Sequence, residues 1–587
     1  MSRARFSGVL VVVTFIVFGR GLTYPMLTGW DDGQYVLDAA NRITPALDNV
    51  VYWFTHYHAH NYHPLTMLSY MVDYSVWGTN PVGYHLQNLL WHVAAGTALY
   101  SIFLRLKIEP FVAACLVLVF AVHPQRVESV VWISERKDVM CAALYLFAFE
   151  RYLTACTTDK ARFILPFAIW VAALLSKAMA ITLPAILVLY ELHRGTRPAD
   201  IARRCWPYCL LALIMVPVTI VGQGTAIATE FAWERPCGVV LHNLIWYIES
   251  FVVPANLAPL YPRIEITTAL VTKIIIVACV LIAGYAYLAH RSRAVLTFVI
   301  VPLALAYLCI GAPVLGAFSL GAIDYADRYS YLMSAVLLLA IGTAITAIQR
   351  STANSNKTSQ LLTRLQSPRV RKAVTALCLV YVVVLGFTAF IYVPTFRSDY
   401  ELWVTATTRE RANPFAIGAL AEYELMNKDY DLVLRLAETL ESRRDNSLTR
   451  AHIRANALKA QYLRASVALR RGQFIQAEAS FRQLLRHIDN ASTAPLFRAN
   501  YVRDKLAECY RELNQFTLAI PLYNKILESE PPADAFLNRG VCYFNTGGLE
   551  AAITDFHSAL EIDPDHTQAA ALLAIAIERL DEVQQDR

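Results

Sequence analysis

Trp30, Asp31 and Asp32 stand directly after the first apolar segment of the chain. A carboxylate there can accept the proton of an attacking hydroxyl or bind a divalent cation, whereas most acidic pairs in loops merely cap backbone groups. Adjacent helical residues diverge by about 100°, so the two acids do not share a proton and one of them is expected to enter a site. A second stretch, HPQRVESVVWISERKD, packs His123, Arg126, Glu128, Glu135, Arg136, Lys137 and Asp138 between two apolar segments, with Lys177 on the same side. Cations at that density suit a phosphate or pyrophosphate, whose negative charge is held best in a dry pocket; interfacial snorkelling accounts for one or two of them less problematically than for all.

The remaining polar clusters are more ambiguous. THYHAHNYHPLTMLSYMVDY holds His56, His58, His60 and His63. In a strand the first three would share a face, as in a metal site; in a loop they would lie at the membrane interface with Trp53, Tyr57 and Tyr62. His85, Asn88 and His92 share one helix face, suited either to helix-to-helix hydrogen bonds or to a substrate. ADRYSY adds Asp327, Arg328, Tyr329 and Tyr331 at the start of another apolar segment.

These residues must be positioned by membrane helices. The chain has 587 residues, 56% hydrophobic and 17% charged, and a mean hydropathy of +0.40, beyond the range of soluble domains. Apolar segments at 7–27, 86–104, 110–124, 139–155, 163–176, 178–192, 207–226, 270–289, 294–312, 329–348 and 371–392 predict eleven transmembrane helices, several shorter than the ~20 residues of an upright span. The first has the basic start of a signal peptide without a small-residue cleavage site and is expected to stay as an anchor. A cytoplasmic N-terminus puts Arg105, Lys107, Lys160, Arg162, Arg194–Arg204, His290–Arg293 and Lys357–Lys372 inside, as the positive-inside rule requires. For the same reason residues 237–262 are expected to form an interfacial or re-entrant helix. The acidic pair, the loop 121–138, Lys177 and Ile323–Leu332 then share the outer face. The net charge of +6 is an orientation signal and predicts no nucleic-acid partner. Eleven cysteines without C-x-x-C spacing indicate neither disulfide framework nor zinc ribbon.

After about residue 395 the chain turns polar. Gly540, Tyr543, Gly547, Ala552, Phe556, Ala559 and Pro564 match a tetratricopeptide pattern, as do Ala507, Tyr510, Asn514, Ala519, Tyr523 and Pro531. A third match runs through Ala465, Gly472, Ala477 and Phe481, and a degenerate fourth through LAEYELMNKDYDLVLRLAETL. The expected architecture is all-α: a membrane bundle over 1–395 and a repeat solenoid over 396–587 on the outer side, where its concave surface would bind peptides or proteins.

WDDGQYV, NYHPLTMLSYMVDYSVWGTNPVGYHLQNLLWH, HPQRVESVVWISERKD, LLSKAMAITLP and ADRYSYL, followed by the repeats, together resemble the transmembrane and tetratricopeptide-repeat O-mannosyltransferases and their prokaryotic relatives, in the C-type superfamily of polyprenol-dependent glycosyltransferases. The resemblance covers nearly the whole chain. It implies a polyprenyl-phosphate sugar donor arriving through the membrane lipids, a protein hydroxyl as acceptor, and inversion at the sugar carbon. Asp31 or Asp32 would be the general base, and Arg126, Arg136, Lys137, Lys177 and Arg328 would hold the donor phosphate. His63, His85, Glu128, Asp327 and Tyr329 would shape the pocket. The classical protein O-mannosyltransferases carry Asp-Glu where this chain has Asp-Asp, so the choice of base stays open. No metal or other cofactor is expected to be required. Mannose is one candidate sugar. The placement expected is a bacterial inner membrane with periplasmic repeats, or an endoplasmic reticulum membrane with lumenal repeats. Transfer to a glycan or lipid, and a non-catalytic scaffold, are the alternatives; a transporter is disfavoured because no internal repeat is evident in the apolar part.

Overall fold

A computed structural model describes residues 2–157, 163–223, 234–291, 296–316, 323–354, 368–408, 412–443, 450–489, 499–528 and 532–585. Lys160, Arg162, Arg293 and Lys357, used in the orientation argument, and Pro531, one of the repeat markers, lie outside the described residues. The regular structure of the described residues is helical, with an isolated bridge between His58 and Asn61. It divides into two units, Met1–Asn413 and Pro414–Arg587. The division falls later than residue 395 because the short helix Asp399–Thr407 packs within the first unit, with Leu402 and Trp403 buried.

The first unit contains α1 (Arg3–Phe18), α2 (Leu47–Thr55), α3 (Pro64–Trp77), α4 (Pro81–Arg105), α5 (Pro110–Val122), α6 (Val127–Val131), α7 (Arg136–Ala155), α8 (Ile164–Ser176) and α9 (Leu183–His193). It continues with α10 (Pro198–Gln223), α11 (Glu234–Val252), α12 (Thr268–Arg291), α13 (Val301–Gly311), α14 (Ser330–Asn354), α15 (Pro368–Tyr392) and α16 (Asp399–Thr407). Local signals set several starts. Pro81 and Pro110 occupy first-turn positions where no N–H is missed, and Asn80 and Glu109 cap them by accepting from the N–H groups of Val82 and Val112.

Among the described residues each of the eleven apolar segments falls on a helix, but length and composition alone qualify five as spans: Arg3–Thr23, Pro198–Gly222, Thr268–Tyr287, Asp327–Ala347 and Thr375–Phe396. Pro110–Val122 and Pro124–Val131 would make a sixth if counted as one span bent by 55°. The others fall short by length or by polar content: α8 and α9 are short, and α4 carries His85, Asn88 and His92. Residues 237–252 belong to one apolar helix, α11, too short to be counted as a span. The protein is a membrane protein whose polar loops are drawn into the bundle: every residue from Ala121 to Asp138 is buried.

The second unit is built from α17 (Pro414–Met426), α18 (Tyr430–Ser442), α19 (Arg450–Arg470), α20 (Phe474–Asp489), α21 (Ala499–Glu512), α22 (Phe516–Leu527), α23 (Ala533–Asn545), α24 (Leu549–Ile562) and α25 (Thr567–Gln585). Within each pair the turn uses a left-handed residue: Lys428 (φ 68°), Gly472 (φ 75°), Asn514 (φ 56°) and Gly547 (φ 86°). The degenerate first pair thus turns as the others do. Small residues face large ones between α23 and α24. Ala552 and Ala559 are fully buried, and a Cβ on Gly540 would lie 2.7 Å from the ring of Phe556.

Candidate active site

After α1 the chain makes a 3-10 turn, a tight bend at 28–30 and one π-helical turn over Gly33–Leu37. Gly33 is required by close approach, since a Cβ there would lie 3.2 Å from the carbonyl oxygen of Thr28. This loop separates the two acids. Asp32 is buried and accepts from the N–H of Leu27 (2.9 Å), the N–H of Ser134 (2.9 Å) and the Ser134 hydroxyl. Burial pushes its carboxyl up to about 6 against the pull of those donors. Asp31 is half-buried and has no hydrogen bond or ion pair to any described residue. Burial raises its carboxyl above the ordinary range, Lys137 and Arg328 pull it down, and Glu135 pushes it up.

The cations fall into three groups. Arg136 is a structural clamp: its Nη1 lies 2.5 Å from Asp73, Nε donates to Asn88 (2.9 Å) and Nη2 to the carbonyl of Tyr84 (2.9 Å). A phosphate would have to break those bonds, so this member of the expected phosphate set is committed elsewhere. Asn88 in turn donates to the carbonyls of Trp132 (3.0 Å) and Ile133 (3.3 Å), a helix-to-loop role. Lys137, Lys177 and Arg328 form a second, charge-paired group. Lys137 lies 3.1 Å from Glu135, Lys177 pairs with Asp138, and Arg328 pairs with Glu128 and lies 3.5 Å from Glu135. Burial would raise Glu135, but Lys137, Arg328 and Lys177 outweigh it and hold that carboxyl well below the usual range. Burial and Glu135 push Asp138 up to about 7 despite Lys177.

Arg126 stands apart. It is fully buried; Nη2 donates to Ser330 (2.6 Å), and the guanidinium lies 4.7 Å from the centre of the Tyr331 ring. Its Nε and Nη1 have no hydrogen-bond partner among the described residues. Two unpaired donor nitrogens on a buried cation are costly unless an anion or water completes them.

The pocket residues separate as well. Tyr329 has Arg328 at 5.0 Å and Lys177 at 5.9 Å from its ring centre, and Glu128 is the partner of Arg328. Asp327 accepts from the Tyr261 hydroxyl on both oxygens at 3.0 Å. His85 contacts the carbonyl of Tyr24 (3.1 Å), which makes it a brace for the loop. His63 is buried, stacked on Tyr35 at 5.4 Å, with neither ring nitrogen partnered among the described residues. Burial and the nearby lysines Lys137 and Lys177 lower its pKa well below the ordinary value, so it is neutral. The His56–His63 run contains a turn, with Ala59 and His60 at positive φ, so the period-two face of a strand is not formed. Among the described residues no three His, Cys, Asp or Glu side chains are grouped to hold a metal ion.

Sequence reasoning did not single out Ser134, Trp132, Asp399 or Trp403. Trp30 stacks on Trp403 (ring centres 4.9 Å apart) and packs at a tilt of 49° against Trp132 (4.4 Å), and Asp399 accepts from the N–H of Gly29 (3.0 Å). The first two lie inside a stretch already notable for its charges; the last two carry no local signal.

Comparison with known proteins adds the following. Residues 501–532 and 533–566 each match a tetratricopeptide repeat family. The chain is 31% identical over 109 residues to the Homo sapiens protein O-mannosyl-transferase TMTC4, covering 16% of this chain and 15% of that one. It is 36% identical over 109 residues to human TMTC2, covering 18% and 13%, and 28% identical over 135 residues to human TMTC3, covering 22% and 15%. The matches thus take in about 15% of the length of these relatives. Among solved structures, ArnT from Cupriavidus metallidurans bound to undecaprenyl phosphate aligns over 90% of this chain and 81% of its own, at 13% identity and a TM-score of 0.34. The chain is similar to the transmembrane, tetratricopeptide-repeat O-mannosyl-transferases.

Proposed function

We propose that the protein is a membrane glycosyltransferase of the C-type architecture, moving a sugar from a polyprenyl-phosphate donor to a hydroxyl of a protein acceptor. The observation that carries this reading is Asp31: a half-buried carboxylate without a partner among the described residues, in the field of Lys137 and Arg328. Asp31 is the base and Asp32 a positioning residue. The acceptor oxygen attacks the anomeric carbon as its proton passes to Asp31. The bond from that carbon to the phosphate oxygen breaks, the electron pair leaves with the lipid phosphate, and the configuration inverts. Arg126, with two unpaired donors, is the leading phosphate ligand; Lys137, Lys177 and Arg328 supply the surrounding positive field.

The relatives' printed activity supports transfer of mannose to protein. The tetratricopeptide repeats favour a polypeptide acceptor over a glycan. Membrane lipids deliver the donor, and no nucleic acid takes part. The membrane is a bacterial inner membrane with the repeats in the periplasm, or an endoplasmic reticulum membrane with the repeats in the lumen, and no divalent metal is required. The test is transfer from radiolabelled polyprenyl-phosphate mannose to co-expressed envelope proteins in membranes, with and without EDTA. Asp31→Asn should abolish transfer in folded protein, and EDTA should leave the wild type unaffected; normal transfer by Asp31→Asn would remove the base mechanism.

A further inference from the structure

The acid loop is held from two directions. On one side stands the loop 121–138, through Ser134 on Asp32 and Trp132 on Trp30. On the other stands α16, more than 360 residues away in sequence. Asp399, the first residue of α16, accepts from the N–H of Gly29 at 3.0 Å and from the Thr28 hydroxyl at 3.3 Å. One turn later Trp403, 1% exposed, stacks on Trp30 with ring centres 4.9 Å apart and planes 24° apart.

The fit leaves little slack. A Cβ on Gly29 would lie 3.0 Å from the Asp399 carboxylate, so the loop approaches that acid as closely as a glycine allows. Trp132, whose ring centre lies 4.4 Å from that of Trp30, is itself beneath charges of the candidate site, with Arg328 at 5.6 Å and Lys137 at 5.8 Å from its ring. Asp31 follows Trp30 directly and makes no hydrogen bond of its own to any described residue, so its neighbours on the backbone determine where its carboxylate stands. Ser398 makes α16 a defined support by capping it, accepting from the N–H of Glu401 at 3.2 Å.

We infer that α16 is a positioning element of the candidate active site, and that Asp399 and Trp403 fix the place of Asp31 through Gly29 and Trp30. The inference rests on the reading of Asp31 as the base. Neither residue touches the reacting atoms; they act by holding the loop that does.

The test uses the full-length protein with Asp31→Cys and follows maleimide labelling at position 31 by mass spectrometry, native Cys141 and Cys205 serving as buried references. Adding Trp403→Ala, Asp399→Ala or Gly29→Ala should speed labelling at position 31 by about tenfold, as local opening does, while the references stay protected. Trp403→Phe keeps a stacking ring and should restore slow labelling; Glu401→Ala, on the exposed side of α16, should not change it. In the transfer assay, with Asp31 intact, Trp403→Ala should lower kcat by about tenfold to a hundredfold and leave the KM for the lipid donor unchanged. Unchanged labelling in the Ala variants, with the references protected, would overturn the inference. Should Trp403→Ala fail to fold, Gly29→Ala and Trp403→Phe decide the matter from the two sides of the contact. Normal transfer by Asp31→Asn would instead sink the base reading while the labelling result stands.

Discussion

Ser134 gives both its backbone N–H and its hydroxyl to one oxygen of Asp32, while the other oxygen takes the N–H of Leu27. Asp32 is therefore the knot that ties the acid loop to the loop 121–138. Asp32→Ala leaves two backbone N–H groups without their acceptor and should lower stability by about 2–4 kcal/mol. Asp32→Asn can satisfy only part of the set, because its NH2 faces a donor. Asp31→Asn should cost almost nothing in stability and all of the transfer. Thermal unfolding of the purified variants, set beside their transfer rates, checks the contrast.

The pH dependence follows from the charges around Asp31. A base must be ionised, so transfer should fall as the pH drops through the raised pKa of Asp31. Lys137 opposes that rise. Its replacement in Lys137→Met should move the acid limb of the rate profile to higher pH, whereas a residue with only a structural role would lower the rate without moving the limb.

Arg136 and Arg126 should separate cleanly. Arg136→Ala strands Asp73 in the interior and should cost about 3–5 kcal/mol, enough to cut membrane accumulation. Arg126→Gln should accumulate normally and lose affinity for polyprenyl phosphate, measured by binding of the lipid to purified protein. Equal losses of accumulation in the two variants would remove Arg126 from the phosphate site.

Gly540→Ala places a Cβ against Phe556 and should loosen the contact between α23 and α24 by about 1–3 kcal/mol. Hydrogen exchange should then quicken in those helices and leave α4 and α7 unchanged.

The repeats were legible because their signals are local: a small residue, a large one and a left-handed turn recur at fixed offsets, as at Gly540, Phe556 and Gly547. The apolar helices were legible for a similar reason. What composition did not disclose was how each charge is spent. Arg136 and Lys137 are adjacent in sequence, yet one clamps Asp73 and the other pairs with Glu135. Nothing in the run YMVDYS marks Asp73 as the partner. Trp403 was invisible for a different reason: its partner, Trp30, lies at the far end of the unit's sequence, and stacking between distant rings leaves no periodicity to read.

The pairing of Lys177, Lys137 and Arg328 with Asp138, Glu135 and Glu128 has a further consequence. An arriving anion meets no bare positive hole there; it must displace a resident counter-ion, as on an exchange resin. Each of the three carboxylates already holds its cation at contact distance, so an incoming phosphate competes with a partner that is in place before it arrives. Capture there would be the exchange of one anion for another, and removing a resident carboxylate, not adding a cation, is the change that frees the positive charge.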